Sequence, residues 1–268
     1  MRLLLKNAHL YRHESFSDTD VLIEDGIIKK IGACNEEADK VIDLHGALLS
    51  HNFIDIHTHL REPGFEHKET ISTGSASALY GGYGTIVAMA NTLPCMDDQE
   101  TIKDFTKRCE KDAQVKTYTY SAITEELKGQ KVVDMEENIK QPIVLGFSDD
   151  GKGVQKDEKN KPIDTAPFGI IGLQHAFPLI YTYIVEEGLI KLETVLDCLT
   201  SGPAKTLNLD ASIEEGMKAD LCAFDLNKEY TIKEEDLKSK ACNTPFLGWK
   251  VKGELIMNIV DGQLLVEE

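Results

Sequence analysis

The feature that most constrains this chain is an alternation of short apolar runs with helical ones through its middle. Residues 52–60 (NFIDIHTHL), 84–92 (GTIVAMANT), 115–123 (VKTYTYSAI) and 142–151 (PIVLGFSDDG) read as strands. Between them, residues 68–82 (KETISTGSASALYGG) form a helix ending at a glycine pair, residues 98–113 (DQETIKDFTKRCEKDA) form the next, and a polar helical stretch follows. Consecutive strands joined by helical crossovers must run parallel. The middle of the chain is therefore α/β, a parallel sheet or a barrel wall.

The two ends read differently. Residues 2–11 are a strand, residues 20–32 a hairpin around Asp25-Gly26, and residues 40–50 another strand. Near the C-terminus, residues 219–226 and 249–268 repeat the pattern, with a second Asp-Gly turn at Asp261-Gly262. Residues 1–50 and 213–268 together are expected to build one small β-sandwich, with residues 51–212 as a separate barrel-type domain. Within the latter, residues 152–167 form a polar linker, and residues 172–188 and 191–209 are expected to be two amphipathic helices.

Charge narrows the partners. The 268 residues carry a formal charge of −17, which disfavours nucleic acid and anionic membranes, since both need a basic surface. The longest apolar run, residues 176–185, is far too short to span a bilayer, and the N-terminus turns polar too early for a signal peptide. Six cysteines, at 34, 95, 109, 198, 222 and 242, show no CxxC spacing and read as reduced thiols. These features point to the cytoplasm.

The chemistry sits at the end of the first middle strand. Side chains alternate faces along a strand, so His57 and His59 share a face with Asp55, while Ile54, Ile56 and Thr58 occupy the other. Two imidazoles at the C-terminal end of a parallel strand can grip one zinc. A bare HxH is equally compatible with two unremarkable polar histidines. Arg61, two residues on, projects from the same end.

The stretch DIHTHLREPGFEHKETISTG (55–74) resembles the first barrel strand of the amidohydrolase superfamily, and more narrowly the dihydroorotases with an HxHLREPG motif. The likeness continues through GGYGTIVAMANTLP, GFSDDGKGVQ, APFGIIGLQHAFPLIYT, EEGMKADLCAFDL and NTPFLGWKVKGE, in order along nearly the whole chain. It implies an amidohydrolase-type (β/α) barrel and reversible hydrolysis of dihydroorotate to N-carbamoyl-aspartate, a step of pyrimidine biosynthesis. It also implies that His57 and His59 hold zinc, and that an aspartate of the SDDG turn joins them, Asp150 matching better than Asp149. Arg61, with Asn91 of the NT turn, would bind the substrate carboxylate, and the backbone of Ala166, Pro167, Phe168 and Gly169 would form a substrate loop. HLREPG and APFGIIG favour a dihydroorotase over a hydantoinase or allantoinase. His51-Asn52 replaces the Pro-Gly of relatives and Ala90 a proline. Both changes are expected in strand-end loops that shape the pocket.

One departure is large. A complete (β/α)8 barrel takes roughly 250 residues, whereas residues 51–212 supply about 160 and about four strands. The resemblance implies further strand–helix units after GKGVQ, holding two more zinc-binding histidines and a TDHAPH turn whose aspartate shuttles the proton. None of these is in this chain, so no catalytic acid/base is assigned, and at most one of the family's two zinc sites is expected to be well ligated. Two functions then compete: a zinc-dependent dihydroorotase, and an inactive relative acting as a scaffold, for instance for aspartate carbamoyltransferase. A half barrel would expose sheet edges unless two copies associate as a homodimer.

Overall fold

The computed structural model describes residues 1–150 and 170–268. Twelve strands and six α-helices lie among them. The expected substrate loop at Ala166–Gly169 and the junction after GKGVQ lie outside the described residues.

Strands from both ends join in one eight-stranded sheet. It holds β1 (Arg2–Arg12), β2 (Ser15–Glu24), β3 (Ile27–Ile31), β4 (Lys40–Asp43), β5 (Leu48–His51), β10 (Leu221–Thr231), β11 (Lys250–Val260) and β12 (Gln263–Glu267). Its order is β12-β11-β10-β5-β1-β2-β3, with β4 parallel to β1. Both Asp-Gly turns form as expected, with positive φ at Asp25, Gly26, Asp261 and Gly262. The two glycines also abut: a Cβ on Gly262 would stand 2.6 Å from the Cα of Gly26. Residues 40–50 are two strands, not one. His45 and Gly46 turn through positive φ, and the break lets β4 and β5 both pair with β1.

The middle forms a four-stranded parallel sheet, β6-β7-β8-β9: β6 (Phe53–Thr58), β7 (Tyr83–Ala88), β8 (Lys116–Ser121) and β9 (Val144–Phe147). Helix α1 (Ile71–Leu79) starts from a Thr70–Thr73 capping box, and α2 (Gln99–Asp112) from Asp98, which accepts from the Thr101 N–H. The polar helical stretch shrinks to one turn, α3 (Met135–Asn138). Residues 172–188 are not one regular helix: α4 (Ala176–Ile180) runs into a π-turn at Tyr181–Val185. Residues 191–209 break at Thr200 into α5 (Leu192–Leu199) and α6 (Ser201–Leu207). Pro203, which has no N–H to give a continuing helix, sits in the first turn of the second piece.

The two sheets meet at the N-terminal end of β6. Phe53 stacks on Phe224 at 5.5 Å and lies 5.2 Å from Phe177, all three fully buried. His51 and Asn52 belong to this junction too, which corrects the expectation that they shape the pocket. Both are buried, and Asn52 Nδ2 donates to the Ile259 carbonyl at 3.0 Å. A Cβ on Gly84 would fall 1.9 Å from that Asn52 amide nitrogen, so the glycine and the asparagine fit as a pair. The junction lies at one end of β6 and the histidine pair at the other.

Candidate metal centre

The C-terminal end of β6 is tied to β7. Thr58 is buried and its hydroxyl donates to the Val87 carbonyl at 3.0 Å, while the Met89 N–H donates to the Thr58 carbonyl at 2.8 Å. From this fixed end His57 and His59 project together, rings 5.3 Å apart and nearly edge to face. Asp55, behind them, accepts the backbone N–H of His57 at 2.9 Å, and burial raises its carboxyl pKa.

Asp150 reaches the pair from beyond β9, the opposite edge of the sheet. Its Oδ2 lies 3.4 Å from His57 Nε2 and 3.6 Å from His59 Nε2. A tetrahedral ion with bonds of about 2.0–2.1 Å sets its ligand atoms roughly 3.3 Å apart; both imidazole–carboxylate distances suit one ion, and the three ligand atoms lie within 4.8 Å of one another. This is the group among the described residues that could hold a metal ion. Two imidazoles and one carboxylate form a borderline-soft donor set, suited to zinc rather than calcium or magnesium.

Asp149 faces away from the histidines. Its Oδ1 accepts the N–H groups of Ile123 and Thr124 at 2.8 and 3.0 Å, and its Oδ2 accepts the Thr124 hydroxyl at 2.7 Å. Of the two aspartates, only Asp150 stands at the cluster.

Around His59 the environment favours the neutral ring. Burial is the main cause of its lowered pKa and the nearby Arg61 guanidinium adds to it, against Asn91, which opposes the shift. The Asn91 carboxamide lies against His59 Nδ1, with Oδ1 at 3.2 Å and Nδ2 at 3.1 Å. If Nε2 binds a metal, Nδ1 carries the proton and donates to that oxygen, which fixes the tautomer. The sequence offered no sign of this contact, since Asn91 lies 32 residues further along the chain.

Arg61 and Asn91 occupy loops that interlock. The Leu93 N–H donates to the Pro63 carbonyl at 2.9 Å, and a Cβ on Gly64 would stand 2.1 Å from the Leu93 carbonyl oxygen. Gly64, at φ +97°, is thus required by both conformation and space. Arg61 itself holds φ +64°, sparsely populated for a residue with a side chain, which is a backbone cost commonly met at functional sites. His67 lies exposed in the same loop region, while His9, His13 and His45 pair with surface carboxylates. His175 is buried beside the Tyr230 hydroxyl.

A parallel sheet carrying a His-x-His pair at the C-terminal end of its first strand, with a carboxylate brought to it, has the ligand types and placement of a metal-dependent barrel enzyme. Family comparisons agree: residues 131–265 match the amidohydrolase family, and the chain belongs to it. Residues 46–161 match the dihydro-orotase-like family, the branch implied by the HLREPG motif. The chain is 28% identical to the dihydroorotase of Bacillus cereus (strain B4264) across 98% of each protein. It is 26% identical to that of Staphylococcus aureus (strain Mu50 / ATCC 700699), across 98% of this chain and 99% of the other. The fold resembles the L-hydantoinase (dihydropyrimidinase) of Arthrobacter aurescens, with a TM-score of 0.80 at 16% identity over 99% of this chain and 96% of the other. A D-hydantoinase gives 0.78 at 15% identity, over 100% and 96%.

The Bacillus match also measures the departure. It runs over 421 positions, and a chain of 268 residues leaves at least 153 of them facing no residue. Because the match reaches 98% of both proteins, that difference is almost wholly internal. No described helix is long and apolar enough to cross a membrane, and no disulfide links the six cysteines, all of which lie among the described residues.

Proposed function

We propose that this chain is a zinc-binding cyclic amidohydrolase of the dihydroorotase type, taking dihydroorotate and N-carbamoyl-aspartate as its substrate pair, in the cytoplasm. One observation carries the reading: His57 Nε2 and His59 Nε2 stand 3.4 and 3.6 Å from Asp150 Oδ2, at the spacing one tetrahedral ion needs. His57, His59 and Asp150 would hold the ion. When bound, zinc lowers the pKa of a coordinated water to about 7 and polarises a carbonyl, which is what opening a cyclic amide requires.

The chain's own residues do the rest. With a metal on Nε2, Asn91 Oδ1 would accept the His59 Nδ1 proton and so hold that tautomer. The Arg61 guanidinium offers a planar fork for the ring carboxylate, and the clasp between Pro63 and Leu93 keeps it beside the histidines. The proton-shuttling aspartate implied by the family belongs to the segment this chain lacks. Turnover should therefore be about 10²- to 10⁴-fold below that of full-length relatives.

The test is hydrolysis of dihydroorotate by the zinc-loaded chain, beside Arg61→Ala. Slow turnover with KM raised in the variant supports the reading. Turnover absent despite bound zinc removes the catalytic part of it. A second reading is favoured by the internal gap of at least 153 positions: a non-catalytic scaffold for aspartate carbamoyltransferase, or a homodimer covering the open sheet edges. It predicts co-elution with the carbamoyltransferase, or a dimer mass, in gel filtration at micromolar concentration. Independent elution as a monomer would exclude both.

A further inference from the structure

The aspartate next to the candidate ligand is built into the protein in a way the SDDG motif does not reveal. The turn after β9 must deliver Asp150 across the sheet to histidines on the opposite edge strand, and four residues of strand alone would not fix its end. The chain returns instead to the loop after β8. The Ser148 N–H donates to the Ser121 carbonyl at 2.9 Å, continuing the β8–β9 ladder by one rung. Asp149 then takes three bonds from Ile123 and Thr124, using both carboxylate oxygens. Thr124 is buried, and its hydroxyl oxygen also accepts the Gly129 N–H at 2.9 Å, so the anchor is itself held. The Asp150 N–H closes the turn on the Ser148 hydroxyl at 3.1 Å.

We infer that Asp149 is a positioning residue for the metal centre: it clamps the β9 turn to the β8 loop and so aims Asp150 at His57 and His59. The inference rests on the proposed His57–His59–Asp150 grip. Asp149 is not a ligand, because both of its oxygens are engaged by donors on the far side of the turn. A short planar acceptor suits the geometry: two N–H groups and one O–H converge on it, and bonds to a carboxylate are strong and directional. An asparagine can keep most of the clamp. Its carbonyl oxygen still accepts from both N–H groups, and the Thr124 hydroxyl can turn to accept from the amide.

The experiment measures zinc affinity by chelator competition, and the visible spectrum of the cobalt(II)-substituted chain, for four variants. Asp150→Asn should lose zinc binding by more than a hundredfold. Asp149→Ala should weaken it by about 10- to 100-fold, the usual cost of losing an outer partner of a metal ligand, and should shift the cobalt bands. Thr124→Val, which removes one of the three bonds and is the gentler change should Asp149→Ala misfold, should weaken binding less and in the same direction. Asp149→Asn should remain within threefold of wild type with an unchanged cobalt spectrum. Were Asp149→Asn to lose zinc as completely as Asp150→Asn, Asp149 would be a ligand and the inference overturned. Wild-type affinity and spectrum in both Asp149→Ala and Thr124→Val would overturn it as well. If Asp150→Asn binds zinc normally, the metal reading itself fails, whatever the clamp does.

Discussion

The two sheets of this protein make opposite bargains with their surroundings. The eight-stranded sheet is assembled from both ends of the chain and buries Leu5, Leu10, Val21, Leu49, Leu221, Ala223 and Met257 in one core. Each part is paired with another that this chain supplies. The four-stranded parallel sheet is graded instead. Its second strand, β7, is buried throughout, as a strand covered on both faces should be, whereas β9 buries only Val144. The gradient runs toward β9, the edge strand that precedes the GKGVQ stretch. The difference teaches that a strand of such a sheet is buried where its neighbours are present, and that the three side chains of the candidate metal centre come from segments this chain retains.

The sharpest way to break that contrast is at the histidines. His59→Ala removes a ligand and the Asn91 partner together, and should reduce zinc affinity by at least a hundredfold while leaving far-ultraviolet circular dichroism unchanged. A collapse of the fold would mean that the histidines are structural.

Next in size come the cores. Ile86→Ala in β7 and Leu221→Ala in β10, both fully buried, should each cost about 2–5 kcal/mol in urea unfolding. Only Ile86→Ala should also weaken zinc binding. A zinc defect in Leu221→Ala would show that the two sheets are not separable in function. At the junction between them, Gly84→Ala should cost about 1–3 kcal/mol, because its methyl would overlap the Asn52 amide. The double variant Asn52→Ala/Gly84→Ala should recover part of that loss.

The smallest effect is one of pH. Burial lowers the pKa of His51 below its ordinary value of 6.5. Unfolding therefore takes up a proton, so stability from this group is complete above about pH 6.5 and declines as the pH falls below it. The metal-free chain should unfold at lower urea concentration at pH 5.5 than at pH 7.5, and His51→Gln should narrow the gap. An equal gap in the variant would place the effect elsewhere.

Much of this was legible in the sequence. The parallel strands announced themselves because apolar runs alternate with capped helices, and the two Asp-Gly turns because they need positive φ. What escaped depended on distant partners. Gly46 is the local mark of the split within residues 40–50, but that β4 and β5 both find β1 is not visible along the chain. Thr200 breaks a helix whose apolar periodicity runs on through it. Asp149 and Asp150 are the same residue type in adjacent positions, and only their contacts, with Ile123 and Thr124 some 25 residues earlier on one side and His57 and His59 on the other, tell them apart. His51-Asn52 precedes β6, at the end opposite the histidines, and its partner Ile259, more than 200 residues further along the chain, is what makes it junction rather than pocket.

The most direct test of the account is the number of zinc ions bound per chain, measured by atomic emission after equilibrium dialysis against zinc. The account predicts one, held by His57, His59 and Asp150. Two tightly bound ions would mean that a second ligand set exists in this chain, and none would mean that the convergence of these three side chains is not a metal site.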